Sequence, residues 1–207
     1  MDWGELKKNF KIISNKSFNH LLEETKVKEL GIYWGCHVNI SDEELHKRLT
    51  ILSVFEKFGF RTTLLLADLH TFLKYEEPWN VISKKVKEMK KKCKDIRMIL
   101  KSETLISEGS NFQFDSEYFF ELYHWMKNMN TGEMHNIMKT YKLSSDNLRP
   151  IDIQKHRISD MIYPIMQIID QEHLHCEIQI GNKDQEELFT FYNKKFNDKH
   201  FLIYLSN

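Results

Sequence analysis

Tyr163, Gln167 and Asp170 stand at i, i+4 and i+7 in an otherwise apolar segment, Ile162–Asp170. On a helix that spacing puts all three on one face. A buried polar group without a partner costs about 1–3 kcal/mol. The face therefore needs neighbouring protein groups or a small polar ligand to satisfy it. Other chemistry-bearing clusters are thinner. His173, His175 and Cys176 lie close together, but no third ligand follows at a known metal spacing, so no metal is expected. From Lys84 to Lys94, seven lysines fall within eleven residues. Such a run is either a solvated helix face or a phosphate-binding stripe.

The chain has 207 residues, enough for one domain with a real core. Its formal net charge is zero, so nothing drives the whole molecule toward nucleic acid. Three cysteines without a CxxC pair suggest reduced thiols and a cytoplasmic setting. The N-terminus lacks the pattern of a signal peptide, and no apolar run approaches 18 residues, so neither secretion nor a membrane span is expected.

Residues 5–29 read as one or two polar helices, and 31–37 as a short strand. Ser41 with Glu44 three residues later opens a helix to about Lys57. The continuous apolar run at 60–67 suits a central parallel strand. A helix is predicted from Pro78 to about Lys94, and a third strand at 96–101. Residues 114–140 read as helical and aromatic-rich. Residues 156–173 form the helix that carries Tyr163, Gln167 and Asp170. A strand at 175–180, a helix at 183–195 and a strand at 200–205 follow. Strands alternating with helices predict a doubly wound, Rossmann-like α/β parallel sheet, with ligands at the carboxyl ends of the strands. Phe114, Tyr118, Phe119, Phe120, Tyr123 and Trp125 read as core or as a subunit interface, which allows for a homodimer.

Several blocks occur in the order of a known family. They are Ile32-Tyr33-Trp34-Gly35, Phe58-Gly59-Phe60, Leu64 through His70, Gly109 through Gln113, Tyr163-Pro164-Ile165-Met166-Gln167 with Asp170, and Gln185 after Gly181-Asn182. In these blocks the chain resembles the class I catalytic domain of archaeal and eukaryotic-type tyrosyl-tRNA synthetases, over nearly its whole length. The resemblance implies a single catalytic domain at 1–207 and no anticodon-binding domain. It implies that Tyr33 and Asp170 read the substrate phenol and that Tyr163, Gln167 and Gln185 hold its α-amino end. Gly35, Asp68 and Gln113 belong to the same implied substrate site.

The family's ATP signature, Pro-x-Gly-x-x-His-x-Gly-His, is not kept. The matching stretch, His37 to His46, has no glycine and carries Asp42, Glu43 and Glu44 at a helix start. The Lys-Met-Ser-Lys-Ser loop would follow the last strand, and the sequence ends at Asn207. The expectation is a tyrosine pocket without ATP activation and with no cofactor.

The architecture is also similar to cyclodipeptide synthases, which take aminoacyl groups from charged tRNA. Their Ser-x-x-Asn nucleophile pattern reads Cys36-His37-Val38-Asn39 here, and their Tyr-x-x-x-Glu reads Tyr163 to Gln167. The similarity implies Cys36 as acyl acceptor, with Tyr163 and Gln167 beside it. Helix amides near Cys36 are expected to favour a thiolate. The same similarity implies that Lys84, Lys87, Lys90, Lys91 and Lys94 hold tRNA. The leading expectation is thus a tRNA-dependent aminoacyl transferase with a tyrosine-type pocket and aminoacyl-tRNA as partner. A non-catalytic tyrosine- or tRNA-binding protein and a residual tyrosine–tRNA ligase are the alternatives.

Overall fold

Among the described residues, six strands form one sheet in the order β1-β6-β5-β2-β3-β4. They are β1 (Phe10–Ile13), β2 (Gly31–Cys36), β3 (Arg61–Leu66), β4 (Leu105–Glu108), β5 (Ile178–Gly181) and β6 (Phe201–Leu205). Five run parallel, and β1 closes one edge antiparallel to β6. The computed structural model describes Lys8 and residues 10–13, 18–140, 157–196 and 201–205.

The described helices are α1 (Phe18–Lys28), α2 (Asp42–Lys57), α3 (Asp68–Lys74), α4 (Trp79–Leu100), α5 (Ser110–Gln113), α6 (Ser116–Asn128), α7 (Thr131–Thr140), α8 (Ile158–His173) and α9 (Glu186–Phe196). Ser41 caps α2 by accepting the Glu44 amide at 3.1 Å. Asp160 accepts the Arg157 amide at 2.9 Å and opens α8. Within α8, Pro164 removes the backbone bond its amide would make to Asp160.

Strand alternation assigns the two faces. On β2, Ile32, Trp34 and Cys36 join the core beneath α2 and α4, with Leu49, Phe55, Ile82 and Val86. Tyr33 points the other way and packs with Leu65, Ala67 and Cys176. A separate cluster joins α6, α7, α8 and α9 through Leu122, Trp125, Ile137, Ile165, Ile168, Ile169 and Phe189.

Three expectations need correction. The stretch 5–29 contains β1, because pairing with β6 supplies hydrogen bonds that local propensity does not foresee. The strand expected at 96–101 is the end of α4. Its apolar run continues the helix until Lys101, whose left-handed backbone (φ 52°) closes it, and the strand falls at Leu105–Glu108. The helical region 114–140 is two helices, split where Asn130 and Glu133 cap α7 with reciprocal bonds of 2.9 and 3.0 Å.

Candidate functional site: a polar pocket at the strand ends

The carboxyl ends of β2 and β5 and the inner face of α8 enclose a cavity of about 100 Å³. Tyr33, Gly35, Cys36, Tyr163, Gln167, Asp170 and Gln185 all line it, so the two sequence blocks most distant from each other meet here. Gln113 stands one contact behind. Asp68 is not among the lining residues. Its carboxylate instead accepts the amides of Leu69 and Ser110, both at 2.9 Å, and ties α3 to α5.

Asp170 is the anchor of the deep end. Only 1% of it is exposed. Its Oδ1 accepts Gln113 Nε2 at 2.7 Å and the Tyr118 hydroxyl at 2.8 Å. Its Oδ2 lies 2.6 Å from His70 Nε2, which must carry a proton to donate. A carboxylate has about four lone-pair sites, so one acceptor position remains, on Oδ2. The Tyr33 hydroxyl shares its single proton between Gln179 Oε1 at 2.6 Å and the Gln167 carbonyl at 3.0 Å. Its oxygen lone pairs remain to accept. Burial, and then the charge of Asp170, raise the Tyr33 pKa well above the usual phenol value, so it stays protonated.

The other end holds two amides and a hydroxyl. Gln185 Nε2 donates to Gln167 Oε1 at 3.0 Å, and Gln185 Oε1 accepts the Asn182 amide at 3.0 Å. The Tyr163 hydroxyl lies 3.0 Å from His37 Nε2. Burial depresses the His37 pKa to about 3, helped by the charges of Lys74, His70 and Arg48. At neutral pH His37 is therefore uncharged, and its Nε2 can accept the Tyr163 proton.

Sequence patterns give no site role to Arg48, His70, Tyr118 and Gln179, and mark His37 only as the neighbour of Cys36. His70 lay inside a block already singled out. Gln179 interrupts the apolar Ile178–Ile180 strand, and its register opposite Tyr33 follows from the parallel pairing. Tyr118 and Arg48 carried no local signal, since each reaches the site across the fold.

Cys36 departs from expectation. It lies three residues after Tyr33, so its side chain takes the opposite face of β2, among the core residues beneath α2 and α4. Burial pushes its thiol up to about 12, against the opposing charge of Arg48. The helix amides do not produce a thiolate. Burial likewise raises Cys93 and Cys176 to about 11. Iodoacetamide at pH 8 should therefore leave all three thiols of the folded chain unmodified and label them only after denaturation. Labelling of Cys36 in the folded state, read by mass spectrometry, would contradict this.

The acids at the start of α2 are also less isolated than expected. Asp42 pairs with Lys92 at 2.6 Å and Glu44 with Arg48 at 2.9 Å. On α4, Lys84, Lys87, Lys90, Lys91 and Lys94 are exposed, while Ile82, Val86, Met89 and Cys93 face the core. Lys90 pairs with Glu108, and Lys84 lies 4.0 Å from Glu88. His173 lies 3.1 Å from Glu121. Among the described residues there is no cluster of three or more metal-type ligands, and no helix is long and apolar enough to cross a membrane.

The fold is that of class I synthetase catalytic domains. The family model for class I tRNA synthetases (W and Y) matches residues 48–202, and the chain belongs to that family. It is 25% identical over 194 residues to cytoplasmic tyrosine–tRNA ligase of Xenopus laevis, covering 86% of this chain and 34% of the ligase. It is also 25% identical over 196 residues to the Saccharomyces cerevisiae enzyme, covering 91% and 47%. The chain thus spans about a third to a half of these relatives. Tyrosyl-tRNA synthetase from Archaeoglobus fulgidus, solved with L-tyrosine, has a TM-score of 0.69 at 19% identity, covering 94% of this chain and 60% of that one. The Leishmania major enzyme, solved with tyrosinol, gives 0.76 at 14% identity, covering 100% and 31%. These two structures establish the fold.

Proposed function

We propose that this chain binds tyrosine in the pocket between β2, β5 and α8, as the tyrosine-recognising part of a tyrosyl-tRNA synthetase-like protein. The observation that carries this reading is Asp170. Three buried donors hold its carboxylate and leave one acceptor position, on a residue that lines the cavity together with Tyr33. A ligand phenol would donate to Asp170 Oδ2 or to the Tyr33 oxygen. Tyr163, Gln167 and Gln185 would take the α-amino end. A cavity of about 100 Å³ falls well below the roughly 300 Å³ at which small-molecule sites usually begin. That favours a single amino-acid side chain over a nucleotide. Calorimetry with tyrosine and phenylalanine tests the reading. A site built to bond a hydroxyl rejects the analogue lacking it, so phenylalanine should bind at least about 100-fold more weakly. Equal binding of the two, or no binding of tyrosine, would overturn it.

Aminoacyl transfer from charged tRNA, of the cyclodipeptide-synthase kind, is the weaker reading. Its nucleophile, Cys36, is a buried thiol on the other face of the strand. Residual ligase activity would appear as tyrosine-dependent pyrophosphate exchange, which this proposal expects to be absent from the purified chain. A cytoplasmic setting and a homodimer through the outward aromatic residues of α6, Phe120 and Tyr123 among them, complete the proposal.

The tRNA contact in this proposal is α4. Changing Lys87, Lys90, Lys91 and Lys94 to Glu should weaken tRNA binding and flatten its salt dependence. Each lost phosphate contact removes about 0.7–0.9 from the slope of log affinity against log salt. An unchanged slope would make α4 an ordinary solvated face.

A further inference from the structure

We propose that Arg48 is the anchor for the ligand's carboxylate, so that the pocket selects a free amino acid over its ester or amide. This inference rests on the tyrosine-pocket reading and extends it to the other end of the ligand. Arg48 lines the cavity from the second turn of α2, and 17% of its side chain is exposed. Three contacts fix the guanidinium. Its Nε donates to Glu44 Oε1 at 2.9 Å, its Nη1 donates to the Gly35 carbonyl at 2.5 Å, and its plane lies 4.9 Å from the centre of the Trp34 ring. Guanidinium has five N–H donors in a rigid fork. The two on Nη2 meet no acceptor among the described residues. A fork held on one side and open on the other, at the edge of a cavity, suits a bidentate anion.

The charge layout gives the anion its place. Apart from the histidines, Arg48 and Asp170 are the only acidic or basic side chains lining the cavity among the described residues. Tyr163 lines the same cavity, and both charges act on its titration, Asp170 raising it and Arg48 lowering it. From Asp170 to Tyr163, α8 rises about 10 Å at 1.5 Å per residue, a distance one tyrosine can bridge. With its phenol at Asp170 and its amino group at Tyr163, Gln167 and Gln185, its carboxylate comes to the Arg48 end. Neutral His37 adds no competing charge there, and the positive field of Lys74 on His37 is partly offset by Asp184, whose charge acts on Lys74 and Tyr163. An aminoacyl ester, which has no carboxylate, would leave the fork unused.

The test is calorimetry of the purified chain with tyrosine, tyrosine amide and tyrosine methyl ester. The three share a side chain and differ in the charge at the acyl end. Tyrosine should bind at least tenfold more tightly than either neutral form. Arg48→Gln and Arg48→Met should bring that ratio to within about threefold, while Arg48→Lys keeps part of it. The tyrosine-to-phenylalanine ratio should survive in all three variants, which separates loss of the anchor from loss of the pocket. Wild-type chain that binds the amide or ester as tightly as tyrosine would overturn the Arg48 assignment and leave the pocket reading standing. A ratio that persists in Arg48→Gln would overturn it too. Failure of the wild type to bind tyrosine would overturn both. A tyrosyl sulfamoyl-adenosine arm distinguishes the other anion source. If it outcompetes tyrosine through Arg48, the fork serves a phosphate, and the carboxylate assignment is wrong.

Discussion

Asp170→Ala should abolish tyrosine binding and also cost the chain about 3–5 kcal/mol of stability, because removing one partner strands the others in a buried site. The stranded groups are His70, Gln113 and Tyr118, each within 2.8 Å of the carboxylate. His70 and Gln113 are themselves almost wholly buried, so water cannot replace the lost acceptor cheaply. Asp170→Asn is the informative companion. It keeps the shape but turns one acceptor into a donor that faces a donor. It should retain part of the stability and lose tyrosine selectivity. Urea unfolding followed by calorimetry measures both effects. A loss below about 1 kcal/mol for the alanine variant, no more than an ordinary point mutation costs, would mean that the network is not held together by this carboxylate.

Gly181→Ala should be the most damaging single-methyl change at the site. A Cβ at Gly181 would lie 1.8 Å from Gln185 Oε1 and 2.9 Å from Leu202 Cδ1. Leu202 is fully buried and cannot retreat, so Gln185 must move. Its bonds to the Asn182 amide and to Gln167 would break together. We expect a stability loss of about 1–3 kcal/mol, as for other overpacked sites, with tyrosine binding weakened at least tenfold. Adding Gln185→Ala to the variant should restore much of the stability but none of the binding, and the double-mutant cycle would show coupling. Additive losses would mean that the damage of the added methyl does not run through Gln185.

What could be read from the sequence divides along a physical line. Signals that lie within one element were legible. The Ser41 cap of α2, the buried run of β3 and the one-sided polar face of α8 all appear near where they were expected. Signals that depend on pairing across the chain were not. β1 exists because β6 offers it hydrogen bonds, and residues 96–100 extend α4 although their apolar pattern suits a strand equally well. The pocket shows the same split. Tyr33, Tyr163, Gln167, Asp170 and Gln185 meet at one cavity. Their protein partners come from α3, α5, α6, β5 and the turn after β2, at sequence distances that no local pattern encodes. Cys36 follows a simpler rule. The two-residue alternation of β2 by itself sets its side chain opposite that of Tyr33, whatever the motif spacing suggests.

The sheet order has a consequence for synthesis of the chain. Strands β2, β3 and β4 are neighbours in both sequence and space, so they can pair as soon as they emerge. The bond from Tyr33 to Gln179 spans 146 residues, and β1 waits still longer for β6. At roughly 5–20 residues per second, β2 stands with one edge open for about 7–30 s before β5 arrives. During that interval the nascent chain presents an unpaired, apolar strand edge, which favours aggregation and chaperone capture. Slowing translation between codons 36 and 178 should lengthen the exposure. The yield of this protein in a cell is thus tied to how quickly β5 and β6 follow the strands already made.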